Sequence, residues 1–279
     1  MGNLIYLYGL TPTTEMEKRA LPSITGFDGK SSLYTLPIGE TTAIVCELPE
    51  DEYNAKNIEN KVHNDMEWLQ DKAFHHHETI TFLHQQYTFI PLKFCTIYED
   101  PANLQATISA SEEQLSQSFK TLHANEEWTL KIYCKEQKLR DAIKKTHPVL
   151  EKKKEEIAKL PRGRQFFEKK KMDSIVDKQL EQEKDLFGES LHEELKSIAT
   201  NYTVKKNWDK DMTGLKEDMV WNSAYLVPKE KVEVFKDKIL TFEEQQADTT
   251  WKIEATGPWP AYHFSDFSQG EEKQYANNS

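Results

Sequence analysis

Hydrophobic positions along the chain change period several times, and each change predicts an element. Leu4 to Tyr8 is a short apolar run stopped by Gly9 and Pro12, the pattern of a buried strand. Leu33 to Leu36 and Thr42 to Leu48 are two further strands split by Pro37 and Gly39, so a hairpin is expected. From Asn64 to Tyr87 the period lengthens, and Met66, Leu69, Ala73, Ile80, Leu83 and Tyr87 recur at helical steps. Thr88 to Tyr98 is again β-rich, with Pro91 marking an edge or a bulge. A single helix is predicted from about Pro101 to His123, opened by Asp100 as N-cap with Pro101 in the first helical position.

The second half repeats this logic with different lengths. Trp128 to Cys134 alternates as a strand, Glu136 to Lys145 is helical, and a charged helix follows Pro148 to about Leu160. After Pro161 and Gly163 comes the longest helical stretch, Arg164 to about Ala199. Its narrow stripe of Met172, Val176, Leu180, Phe187, Leu191, Leu195 and Ile198 predicts an arm or helical hairpin that projects rather than lies on a core. Tyr202 to Val204, Met219 to Val227 and Thr250 to Ala255 read as strands, with a helix opened by Pro228 before the last. From Trp128 the order is β-α, a helical insertion, then β-β-α-β, which is the ferredoxin-like order. The expected fold is therefore α+β in two domains. An N-terminal mixed sheet with helices occupies 1–124. A ferredoxin-like domain occupies 125–265, with an inserted long helix or helical hairpin at about 149–199, and 266–279 is a polar, flexible tail.

Composition then excludes classes of function. There are 36 Lys and Arg against 47 Asp and Glu, a formal charge of −11, which argues against a general nucleic-acid binder and against electrostatic docking on an anionic membrane. Residues 151–185 hold 11 basic and 9 acidic side chains, so the acidity lies outside this stretch. No apolar run approaches the roughly 20 residues that span a bilayer. The opening MGNLIYLYGL lacks the basic start and cleavage site of a secretory signal, so a soluble, cytoplasmic protein is expected. With 37% apolar and 30% charged residues, the chain is leaner and more charged than a typical enzyme domain.

Few residues invite chemistry. Cys46, Cys95 and Cys134 lie in apolar, strand-like runs with no C-x-x-C pair, which predicts inert core thiols. His75, His76 and His77 fan out at about 100° to one another on a helix, so three ligands cannot converge. His77 and His84 share a stripe with Ala73 and Ile80, predicting one buried, hydrogen-bonded imidazole with exposed neighbours. A metal-dependent enzyme built around His77 is the competing class. Glu50-Asp51-Glu52 and Glu126-Glu127 read as solvated loops rather than paired catalytic carboxylates. No phosphate-cradling glycine motif and no serine nucleophile elbow occur, and no catalytic, cofactor or metal residue is assigned. Pro161 to Lys171 (PRGRQFFEKKK) is a basic patch with two aromatics. A ferredoxin-like RNA-binding module would use it, but a solvated helix start is preferred. The segment TGPWPAYHF, Thr256 to Phe264, is the most distinctive. Two prolines bracket Trp259 in an extended geometry just past the last strand, so its aromatics either cap a core or present an adhesive surface, and capping with one exposed ring is expected.

An ordered set of motifs spans nearly the whole chain: IYLYGL (5–10), WLQDKAFHHHE (68–78), IPLKFCTIY (90–98), EEWTLKIY (126–133), GRQFFEKKK (163–171), AYLV (224–227) and GPWPAYHF (257–264). Together they resemble the GvpF/GvpL family of gas vesicle proteins. In the family pattern one His precedes the helix Glu, matching His77, and a Gly is common where Cys95 stands. The resemblance implies a two-domain α+β fold whose C-terminal part is ferredoxin-like with an added long helix. It also implies a non-enzymatic accessory or minor structural protein of the gas vesicle, of F or L type, that needs no cofactor. Its partners would be the main shell protein and other gas vesicle accessory proteins, with no nucleic acid and no membrane. Trp259 and Tyr262, and the strand edge near Pro91, are the candidate docking points, since an apolar shell subunit needs a partner that covers its surface before it polymerises.

Overall fold

The computed structural model describes residues 2–146, 155–245 and 250–265. Its elements are α+β, in two compact units: the described residues of Met1–Glu127 with Pro258–Ser279, and Trp128–Gly257. The start of the predicted helix after Pro148, to residue 154, and the whole 266–279 tail lie outside the described residues, and 155–158 are helical as expected.

The first unit is built around β1 (Asn3–Pro12), which extends past Gly9 to Pro12 and is buried at nearly every position. β2 (Tyr34–Ile38) and β3 (Thr41–Pro49) form the expected hairpin, and β3 pairs antiparallel with β1 from Asn3↔Pro49 to Pro12↔Thr41. On the other side of β1 lie two short strands, β4 (Ile90–Pro91) and β5 (Ile97–Tyr98), giving the order β2-β3-β1-β4 with β5 also on β1. Pro91 thus stands in an edge strand, where a missing N–H costs the ladder nothing. One face of this sheet carries Leu4, Tyr6, Tyr8, Ile44, Cys46 and Leu48, packed with Ile80, Leu83 and Tyr87 from the helix Met66–Gln86 and its C-cap. Ile5, Leu7, Leu10, Ala43 and Val45 on the opposite face are buried as well.

The predicted helix from Pro101 to His123 is two helices. Asp100 caps the first as expected, its carboxylate accepting from the Ala102 and Asn103 amides. Ser111, at φ −114° and ψ 13°, then ends Pro101–Ala110 and starts Glu112–Ala124. A Ser tolerates this bridge-region geometry, so the apolar pattern continues while the axis breaks.

The second unit has a four-stranded sheet in the order β7-β8-β6-β9, formed by β6 (Asn125–Cys134), β7 (Asn201–Val204), β8 (Asp218–Pro228) and β9 (Trp251–Trp259). The long helix Arg162–Lys196 does not project over its whole length. Leu191 and Leu195 join Trp128, Leu130, Ile132, Tyr225 and Val227 in one core with the helix Val232–Gln245. Val176 and Leu180 pack with Cys134, Leu139 and Ile143, the last two from the helix Glu136–Thr146. Only the first turns of the long helix, before Val176, carry no buried side chain. Gly188 explains itself by packing: a Cβ there would stand 2.4 Å from the Trp221 ring. β9 runs through Pro258 to Trp259, further than its apolar pattern suggested, because an end strand of the sheet tolerates proline.

Cys95 departs from the expected strand. It lies in the loop between β4 and β5 at φ +63°, the left-handed region, and among the described residues no other non-glycine residue has a positive φ. An L side chain there costs about 1 kcal/mol or more, which a glycine avoids. Cys95→Gly is therefore expected to match or exceed the parent in stability. Cys95→Val, with a β-branched carbon at the same φ, should lose about 1–2 kcal/mol in urea titration. Equal losses in both variants would show that side-chain packing, not backbone conformation, governs the position.

Candidate partner-docking site

The helix Met66–Gln86 sets the geometry of the first unit's most polar interior. Its buried stripe is His76, Ile80, Leu83 and the capping Tyr87, with Asp65 accepting from the Trp68 amide at the N-terminus. At about 100° per residue, His76 falls in line with Ile80, Leu83 and Tyr87, whereas His77 is turned to the flank. The buried imidazole is thus His76. His77, the residue expected on the core stripe, is exposed, and His75 is half-buried.

His76 Nε2 lies 3.3 Å from the Leu92 carbonyl, which can only accept, so Nε2 carries the proton. Its Nδ1 then accepts from the Tyr6 hydroxyl at 2.7 Å, and the Tyr6 oxygen in turn receives the Cys95 amide at 3.3 Å. The Tyr8 hydroxyl reaches His75 Nε2 at 3.2 Å. Burial holds the His76 imidazolium down to about 4, lowers His75, and pushes the Tyr6 and Tyr8 phenols well up. The network is neutral and structural. Burial likewise pushes the Cys95 and Cys134 thiols up to about 12 and raises Cys46, the opposite of what a nucleophilic thiol needs. Among the described residues no three His, Cys, Asp or Glu side chains are grouped to hold a metal ion.

On the helix flank, His77 meets the segment that the sequence singled out. Its Nδ1 is 3.0 Å from the Tyr262 hydroxyl, and the rings of Tyr262 and Trp259 lie 6.3 and 6.1 Å from its centroid. Tyr262 is 37% exposed, Trp259 half-buried and Ala261 buried. Burial, with the nearby Glu127 charge, pushes the Tyr262 phenol up to about 12. One residue on, His263 anchors the segment. Glu127 is 2% exposed, and its two oxygens face the His263 amide at 3.1 Å and Nδ1 at 2.6 Å. A carboxylate only accepts, so His263 presents Nδ1–H to it. Glu127 is therefore no solvated loop residue: it lies in β6 and turns inward, 136 positions from its partner. The other acidic cluster, Glu50 to Glu52, forms the first turn of a four-residue helix.

Residues 4–266 match the family described as "Gas vesicle synthesis protein GvpL/GvpF". The chain belongs to the GvpL/GvpF family. Gas vesicle protein L of Streptomyces sp. (strain CB03234) is 22% identical over 234 residues, 83% of this chain and 82% of that protein. The crystal structure of the gas vesicle protein GvpF from Anabaena sp. PCC7120 superposes with a TM-score of 0.70 at 19% identity, over 95% of this chain and 98% of that one. GvpF from Microcystis aeruginosa gives 0.63 at 17% identity, over 94% and 98%. These likenesses agree with the α+β fold of this GvpL/GvpF chain. No described helix is long and apolar enough to cross a membrane.

In this family member Trp259 and Tyr262, the candidates expected from the sequence, stand beside residues that the sequence does not single out. Its helical stripe sets His77 on the core, and nothing in it pairs Glu127 with His263. The one available signal was compositional: a His directly after Tyr262 and an acidic pair at the start of a strand.

The His76 network predicts an acid-sensitive unit. The folded protein holds this imidazole neutral down to about 4, while the unfolded chain protonates it near 6.5, so the unfolded state binds more protons between these values. Stability from this group is complete above about pH 6.5 and falls as the pH drops toward 4, by up to about 3 kcal/mol. Denaturant titrations at pH 7 and 4.5 should show that loss, and His76→Gln should flatten it. An unchanged pH dependence in the variant would remove His76 as its source.

Proposed function

We propose that this GvpL/GvpF member is a non-enzymatic accessory or minor structural protein of gas vesicles. It binds the main shell protein, works beside other gas vesicle accessory proteins and supports vesicle assembly in the cytoplasm. The observation that carries the reading is the family match across residues 4–266. The interior of the first unit agrees with it, since His76 and His75 are committed to the Tyr6 and Tyr8 hydroxyls.

We read the chain as two domains, divided near residue 125, with the second ferredoxin-like and enlarged by the long helix. The sheet order β7-β8-β6-β9 supports this, because in a β-α-β-β-α-β unit it sets the first strand beside the third and last. Residues 258–265 group with the first unit, so the docking segment belongs there functionally.

Docking falls to Trp259 and Tyr262; both residues of the edge strand Ile90–Pro91 are buried, so that strand is the weaker point. Two half-exposed rings stand on a backbone fixed by prolines and by the Glu127–His263 pair, so little freedom is lost on binding. Buried aromatic anchors of this kind carry about 1.4 kcal/mol or more, a factor of ten in affinity. Trp259→Ala with Tyr262→Ala is expected to weaken capture of the shell protein by about tenfold or more and to lower vesicle yield by microscopy. Unchanged capture by a stably folded variant would exclude these rings. Deletion of the gene should leave cells with few or no vesicles, and normal vesicles would exclude an essential assembly role.

A further inference from the structure

Two exposed surfaces of the chain match each other in chemistry. The first is the outward face of Met66–Gln86. At helical spacing it carries Glu67, Asp71, Phe74, Glu78 and Phe82, all exposed, with Phe74 63% and Phe82 41% open to solvent. Every ionised side chain on this face is acidic, and the neighbouring Lys72 is turned in over the Phe27 ring. The second surface is the start of the long helix. Arg162, Arg164, Lys169, Lys170 and Lys171 surround Phe166 and Phe167, which are 67% and 66% exposed and meet edge to face at 5.8 Å. Glu168 is the one acid among them, and it is paired with Lys171.

An exposed phenylalanine pair needs a reason, because an apolar ring in water is unfavourable by roughly 25 cal/mol per Å². Each surface has rings at its centre and a clear excess of one charge around them, acidic on the first and basic on the second. We infer that the helix start of one molecule, around Phe166 and Phe167, docks on the acidic outward face of Met66–Gln86 in a second copy of this chain. The contact joins two different patches, so it is heterologous: a bound pair still offers one free surface of each kind, and copies add head to tail. Two rings a side is a small interface, so association is weak and depends on charge.

Sedimentation of the full chain over a concentration series tests this. The average mass is expected to rise with concentration at about 0.15 M salt and to fall back at 0.5 M, where screening shortens the reach of the charges. Lys169→Glu with Lys170→Glu should abolish the rise, as should Glu67→Lys with Glu78→Lys. Mixing the two variants should restore association, because the first keeps an acidic face and the second keeps a basic helix start. Phe166→Ser with Phe167→Ser should abolish it without altering net charge. All these positions are exposed, so unchanged far-UV circular dichroism is expected throughout. A parent that stays monomeric over the whole range, or association undiminished in both charge variants, would overturn the inference. So would a mixture of the two charge variants that remains monomeric.

Discussion

Burial of β1 on both faces is the constraint from which the first unit follows. A strand covered on both sides offers its tyrosine hydroxyls no water, and an unpartnered hydroxyl in an apolar core is costly. Tyr6 and Tyr8 therefore need partners from the element that packs over them, and His76 and His75 are those partners. Once His76 is committed to Tyr6, the rotation of Met66–Gln86 about its own axis is fixed. That rotation turns His77 to the flank, beside Tyr262, and turns Phe74, Glu78 and Phe82 away from the core. The same hydrogen-bond chain ends on Leu92 and Cys95, which holds the loop between β4 and β5 and so the edge strand at Pro91.

Local pattern carried a good part of this fold. The hairpin, the helix Met66–Gln86, the Asp100 cap and the stripe of the long helix were all readable, because each depends on residues a few positions apart. The misreadings share a cause. Which of three consecutive histidines faces inward depends on hydroxyls about 70 positions away. Whether the long helix projects or lies on a core depends on Cys134, Leu139 and Ile143, far from it in sequence. Glu127 looked like a loop residue because His263 stands at the other end of the chain. Ser111 is the exception, a local break that leaves the apolar period intact. Cys95 is instructive in the other direction: the glycine expected at that position in the family is what a φ of +63° calls for.

The Trp259 segment joins rigidity to exposure in an unusual way. Proline-bracketed chain is extended at little entropic cost, yet by itself it has no fixed position. The buried Glu127 supplies position, since leaving His263 would strand a carboxylate in the interior with neither donor. The His77 hydrogen bond then orients the Tyr262 ring. The aromatic surface is thus held by a few polar contacts rather than by burial of the rings themselves, which leaves ring area available to a partner.

The unusual composition now has a location and a consequence. A long helix that packs through one narrow stripe needs few apolar residues and leaves many positions for charge, which lowers the apolar fraction without weakening the core. Between whole molecules the net charge of −11 is repulsive, which favours solubility over indiscriminate contact. At physiological ionic strength that repulsion is screened beyond about 8 Å, whereas opposite charges brought into contact are not. Electrostatic attraction between molecules of one sign then arises only where a basic patch such as 162–171 meets an acidic one. Net charge sets the background against which a few local pairs select a partner, so the sign of the whole chain and the sign of its contacts need not agree.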